Sequence, residues 1–204
     1  MSGAGLYLGK RVIVLDLETQ KSFAEVDRSK LHQLKISVVG IYDSQSNEYV
    51  CYEEKELPQL ERRLKAADLI VGFNIIDFDM RVLGPHLLTD ERQFKILDIL
   101  VEFHKVKGHR ISLQALAQAS LQDSKSGSGF DAIQLYRDGR IEDLKRYCLD
   151  DVRITKEIFD FGLKNKCVKY FSKNSFMNEE VPIDWSHCLQ ESQPEEKFFP
   201  SSLF

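Results

Sequence analysis

Residues 11–19 read Arg-Val-Ile-Val-Leu-Asp-Leu-Glu-Thr, a β-branched apolar run that closes on two acids. The run over 11–17 predicts a short buried strand. Residues two apart on a strand face the same way, so Asp16 and Glu18 project together. Two anions side by side are costly unless they are protonated, solvated or bound to a cation. A hard divalent metal is the natural use of such a pair. An acidic strand end running into solvent gives the same letters, so this stretch alone does not decide the chemistry.

Working outward, 36–42 and 48–53 predict two further strands. They are joined by the turn-rich Asp43-Ser-Gln-Ser-Asn47 and so predict a hairpin. Leu57, Leu60 and Leu64 recur at helical spacing among charges, predicting a surface helix over 57–67. An apolar run at 69–73 predicts a strand, 77–88 a helix ending near Gly84-Pro85, and 94–99 another short strand. Ser112 reads as the N-cap of a helix carrying Leu113, Leu116 and Ala117 on one face. A Ser/Gly-rich loop at 123–129 precedes helices at 131–137 and 140–163, the second long and amphipathic. Strands first and helices after, with a parallel crossover, predict an α/β or α+β three-layer domain over 1–166. Beyond Lys166 the pattern weakens into a C-terminal extension, 167–204, with Pro182, Pro194 and Pro200.

The chain has 204 residues, 43% hydrophobic and 29% charged, with a formal charge of −4. Such a length can bury a real core. The negative charge argues against a generic basic coat for nucleic acid, although carboxylates filled by cations no longer repel phosphate. Four scattered cysteines (Cys51, Cys148, Cys167, Cys188) form no C-x-x-C pair, which predicts reduced thiols and no zinc site. The N-terminus lacks a basic start followed by an apolar run, and no stretch approaches the roughly 18 apolar residues of a membrane span. A cytoplasmic protein without membrane contact is the expectation.

Two further segments carry acids in informative places. In Asn74-Ile-Ile-Asp-Phe78-Asp79, Asp79 follows an apolar strand and opens a helix, where the dipole favours an anion. Asp77 suits a plain capping role equally well. In Tyr147-Cys-Leu-Asp-Asp151, Tyr147 and Asp151 are four apart on the long helix and share a face. Asp150 points elsewhere and reads as solvated. Taken singly, a phenol beside a carboxylate is as well explained by a buried hydrogen bond.

Together the order Asp-x-Glu, Asn-x-x-x-Phe-Asp, Tyr-x-x-x-Asp resembles the three motifs of the DEDDy class of 3′→5′ exonucleases, within the ribonuclease-H-like superfamily. The resemblance covers roughly 11–163 and is closest to the exonuclease domain of family-B DNA polymerases and its stand-alone bacterial relatives. It implies a ribonuclease-H-like three-layer fold with a mixed, mainly parallel sheet flanked by helices. It also implies two divalent ions, Mg²⁺ or Mn²⁺, roughly 4 Å apart and clamping a phosphodiester. By resemblance Asp16, Glu18 and Asp151 hold the first ion, Asp16 bridges to the second, and Asp79 supports the second directly or through water. Tyr147 orients the attacking water. Asn74, Phe78, Thr19 and Lys125 are then the candidate substrate contacts. The implied substrate is the 3′ end of single-stranded DNA, with RNA as competitor and repair, degradation or proofreading in trans as the settings. A non-catalytic module that holds 3′ ends is the alternative from another class.

Three weaker features remain. Asp98 is a lone acid in an apolar run, consistent with a supporting, strand-edge or capping role. The basic stretch 104–110 reads as a solvated loop, or as a grip on the nucleic-acid backbone. The end of the chain, Phe198-Phe-Pro-Ser-Ser-Leu-Phe204, resembles the end of a sliding-clamp-binding peptide. The glutamine usual at that peptide's start is missing, and Pro200 stands there.

Overall fold

The computed structural model describes residues 3–122 and 129–190. Lys125 and the clamp-like residues 198–204 lie outside the described residues. In chain order the elements are α1 (Gly3–Leu6), β1 (Val12–Thr19), β2 (Ile36–Asp43), β3 (Glu48–Glu53), α2 (Leu57–Lys65), β4 (Leu69–Gly72) and α3 (Asp79–Leu83). There follow β5 (Ile96–Asp98), α4 (Ile99–Lys107), α5 (Leu113–Leu121), α6 (Gly129–Arg137), α7 (Ile141–Asn165), β6 (Cys167–Ser172) and β7 (Met177–Pro182).

Five strands form one sheet in the order β3-β2-β1-β4-β5. β1 pairs antiparallel with β2, and β2 with β3, whereas β4 and β5 run parallel to β1. The sheet is therefore mixed and evenly divided, not mainly parallel as expected. The hairpin predicted across 36–53 supplies both antiparallel pairings.

Alternation along β1 builds two cores. Val12 and Val14 pack with Phe103 of α4, Leu116 of α5, and Ile154 and Ile158 of α7. Ile13, Leu15 and Leu17 pack on the opposite face with Leu60 and Leu64 of α2 and Val82 and Leu83 of α3. Helices thus cover both faces of the sheet, in three layers. Asp16 and Glu18 continue the parity of Val12 and Val14, which aims them at the α7 side.

Three local expectations are revised. Helix α3 spans only Asp79–Leu83 before a 3-10 turn at Gly84–His86, because Pro85 cannot continue it. The basic stretch is no loop up to Lys107, since it forms the second half of α4. The chain after Lys166 folds into the antiparallel β6–β7 hairpin, whose Val168, Tyr170 and Val181 join the α7-side core. Trp185, 1% exposed, stacks on Phe159 of α7 with ring centroids 5.7 Å apart. Gly162 admits that ring, since a Cβ there would collide with it. No described helix is long and apolar enough to cross a membrane.

Candidate active site

Strand β1 delivers Asp16 and Glu18 at its C-terminal end, and α7 delivers Tyr147 and Asp151 from above. The seating of α7 depends on one residue of the neighbouring strand. Gly40 of β2 lies opposite Asp16 on one side and opposite Cys51 of β3 on the other. A Cβ at Gly40 would stand 2.9 Å from the Cys148 sulfur, closer than such contacts allow. With hydrogen there, α7 settles onto the sheet and the Cys148 thiol donates to the Asp16 carbonyl at 3.6 Å. The backbone of the first motif is thereby fixed to the helix that carries the third.

This docking brings one carboxylate oxygen from each of Asp16, Glu18 and Asp151 within 4.8 Å of one another. Glu18 and Asp151 are buried and Asp16 is half-buried. Tyr147 is 8% exposed, one turn before Asp151, in a small cluster with Val38, Ala132 and Leu144.

Asp79 falls outside that tight trio but belongs to the same electrostatic unit. It is the first residue of α3 and almost fully buried. Its carboxylate accepts from the Leu17 N–H, between the two acids of β1, at 3.0 Å. Burial first, and then the negative charge of Asp16 and Glu18, push its pKa well above the ordinary carboxylate value, against the pull of backbone hydrogen bonds. The donor set fits a hard divalent cation: all ligand atoms are carboxylate oxygens, and concentrated negative charge is relieved by positive charge of the right size.

The loop leading to Asp79 is built for fixity. Asn74 takes a left-handed conformation, φ 63°, which an asparagine tolerates. Its N–H donates to Asp98 at 2.9 Å, and the Ile76 N–H donates to the same carboxylate at 3.1 Å. Asp98 also accepts from the Leu100 and Val101 N–H groups, so this acid both caps α4 and ties down the loop. Asp77 does not cap α3. It is exposed and lies 3.6 Å from Arg110. Phe78 is half-buried, packed on Phe23 with centroids 5.6 Å apart. The Thr19 hydroxyl donates to the Lys21 carbonyl at 2.9 Å, shaping the exit from β1. Asp150 turns away from the trio and pairs with Arg153 at 2.9 Å.

Sequence reasoning missed two residues of this region. Gly40 gave no signal beyond a glycine inside a strand pattern, which marks a close approach of another element. Arg110 was one cation among several in its stretch, and only the fold brings it to Asn74, whose side-chain oxygen accepts from its Nη2 at 2.5 Å.

A three-layer α/β domain with acids meeting from the first strand and the last long helix defines a class. The chain belongs to the RNase_H superfamily, whose family model matches residues 14–161. Among solved structures it is similar to the family B DNA polymerase from the hyperthermophilic archaeon Pyrobaculum calidifontis. That match has a TM-score of 0.56 and 17% identity over 76% of this chain. The chain spans 24% of that polymerase, about a quarter of its length. No curated protein matches it.

Proposed function

We propose that the protein is a metal-dependent 3′→5′ exonuclease that releases nucleoside 5′-monophosphates from single-stranded nucleic acid, with DNA favoured. The observation that carries the reading is the convergence of Asp16, Glu18 and Asp151 within 4.8 Å, beside a buried Asp79 whose charge is opposed by its neighbours. Superfamily membership and the likeness in fold to a DNA polymerase support nuclease chemistry in this chain. The order and type of the motif residues support the 3′→5′ direction and the tyrosine-bearing class.

In this reading Asp16, Glu18 and Asp151 would hold one divalent ion, and Asp79 would support a second, directly or through water. Bound there, such ions would supply Lewis-acid activation of water and charge neutralisation at the leaving oxygen. The protein's own part is placement. Tyr147 directs its hydroxyl at the attacking water, one helical turn from Asp151. The low accessibility of Tyr147, Glu18 and Asp151 keeps bulk water from competing for the same positions. Asn74 and Phe78 contact the terminal nucleotide, with Thr19 and Lys125 as further contacts.

Digestion of 5′-labelled single-stranded DNA and RNA with Mg²⁺, Mn²⁺ or EDTA tests this directly. A ladder of 3′-shortened products with metal, absent with EDTA and in Asp16→Ala, is expected, with the DNA ladder faster. Intact oligonucleotides under every metal condition would refute the enzyme reading, and faster loss of RNA would reassign the substrate.

A further inference from the structure

The basic stretch at 104–110 does not act as a unit. Lys105 pairs with Glu102 at 2.6 Å, and Lys107 pairs with Glu179 at 3.3 Å while lying 4.7 Å over the Tyr170 ring. His109 packs its ring against Phe103 and Tyr170. Lys107 and His109 serve the packing of this segment on the β6–β7 hairpin, and Lys105 is paired within α4. Arg110 alone turns to the loop that presents Asp79.

There it donates through Nη2 to the Asn74 side chain, while Nη1 stands 3.6 Å from Asp77. The Arg110 side chain is 59% exposed and that of Asp77 is 62% exposed. A guanidinium carries five N–H donors in a flat fork, so most of its donor capacity faces solvent. Its bond to Asp77 is long and exposed, of a kind that contributes little and yields readily to a better anion. Its bond to Asn74 is short, and Asn74 is anchored through its N–H to Asp98. One edge of the guanidinium is therefore held by Asn74, on the loop that leads to Asp79, and the other only by a replaceable anion.

We propose that Arg110 is a substrate-positioning residue that exchanges Asp77 for a backbone phosphate of the nucleic-acid strand. A phosphodiester offers two oxygens to the fork, a match a carboxylate at 3.6 Å does not make. The exchange supplies positive charge where a chain of net charge −4 must receive a polyanion. The inference rests on the nuclease reading and extends it by naming what steers the strand.

The test measures kcat, KM and their salt dependence on a 5′-labelled single-stranded oligonucleotide for the full chain and its Arg110→Ala, Arg110→Lys and Asp77→Asn variants. Fluorescence anisotropy of the same oligonucleotide gives binding independently of cleavage. Arg110→Ala should raise KM and Kd roughly tenfold. Its kcat should stay nearly unchanged, and the slope of log affinity against log salt should fall by about 0.7–1. Arg110→Lys should recover part of the affinity and most of the salt slope. Asp77→Asn, which removes the competitor, should tighten binding roughly threefold. Unchanged Kd and salt slope in Arg110→Ala would overturn the proposal while leaving the nuclease reading intact. A fall in kcat alone, with KM and slope unmoved, would make Arg110 a prop for the Asn74 loop and overturn it too. A wild type that neither cuts nor binds would remove both.

Discussion

Two buried carboxylates at opposite ends of the same pair of strands are treated in opposite ways. Asp43 closes β2, with no exposed side-chain surface, and receives Arg11 at 2.6 Å and Arg63 at 3.1 Å. Burial opposes its charge, but the two guanidinium groups and the Gln45 N–H outweigh burial and hold its pKa below the ordinary value. Asp79, equally hidden at the other end, has as its charged neighbours Asp16 and Glu18, which raise its pKa further. The fold neutralises the structural carboxylate with its own arginines and sets Asp79 beside further acids. Only the second places a buried acid among like charges, a condition that a bound cation would relieve.

That contrast can be broken at either end. The largest effect is expected from Asp16→Ala, which should lower metal-dependent cleavage by roughly 10³-fold or more in a single-turnover assay. Asp43→Asn should do the reverse, costing about 2–4 kcal/mol in denaturant unfolding because two arginines lose their shared anion. Cleavage by the remaining folded Asp43→Asn protein should match wild type. Loss of activity without loss of stability in Asp43→Asn would erase the distinction between the two ends.

A smaller effect, of opposite sign to most substitutions, is expected at Asp79. Asp79→Asn keeps an acceptor for the Leu17 N–H and removes a charge the metal-free protein resists. It should raise metal-free stability at pH 8 by about 1–3 kcal/mol while lowering cleavage. The signs with pH follow from the directions of the shifts. The folded pKa of Asp79 is raised, so its stabilising contribution is full below about pH 4 and is lost as pH rises through the folded value. The folded pKa of Asp43 is depressed, so its contribution is present above about pH 4 and is lost as pH falls through the folded value. Thermal scans of metal-free protein from pH 3 to 9 should show both limbs. Asp79→Asn should flatten the alkaline limb and Asp43→Asn the acid limb.

The smallest effect tests the cation demand alone. Millimolar Mg²⁺ or Mn²⁺ should raise the melting temperature by a few degrees at pH 8, and by less at pH 5 where protons compete for the carboxylates. Asp79→Asn should show a reduced rise. Equal stabilisation of wild type and Asp16→Ala by metal would place the bound ion elsewhere.

The sheet and the candidate site were legible in sequence where local signals agreed with the tertiary context. β1, the 36–53 hairpin and α7 announced themselves by apolar runs, a turn cluster and helical spacing. The acids at 16, 18 and 151 were brought into one site by the resemblance of their motifs to an exonuclease class, and their places on those elements were only compatible with it. The β6–β7 hairpin was not legible, because only Val181 on β7 is buried and the strand otherwise reads Met-Asn-Glu-Glu and a proline. Its stability comes from docking on α4, α5 and α7, a contribution that lies outside its own residues. Helix α4 was hidden for a related reason: the strand expected over 94–99 ran past Asp98, which both ends β5 and caps α4. The even division of the sheet was implicit in the hairpin, whose two pairings balance the two parallel ones.

The contact between the Cys148 thiol and the Asp16 carbonyl spans 132 residues of chain. During synthesis from the N-terminus, Asp16 and Glu18 are made early and Asp151 late. At about 5–20 residues per second, on the order of ten seconds separates them. Until α7 exists and has settled over Gly40, the first strand carries its acids without a partner helix and no three-carboxylate cluster is assembled. Assembly of the carboxylate cluster therefore reports that α7 has been made and has docked on the sheet.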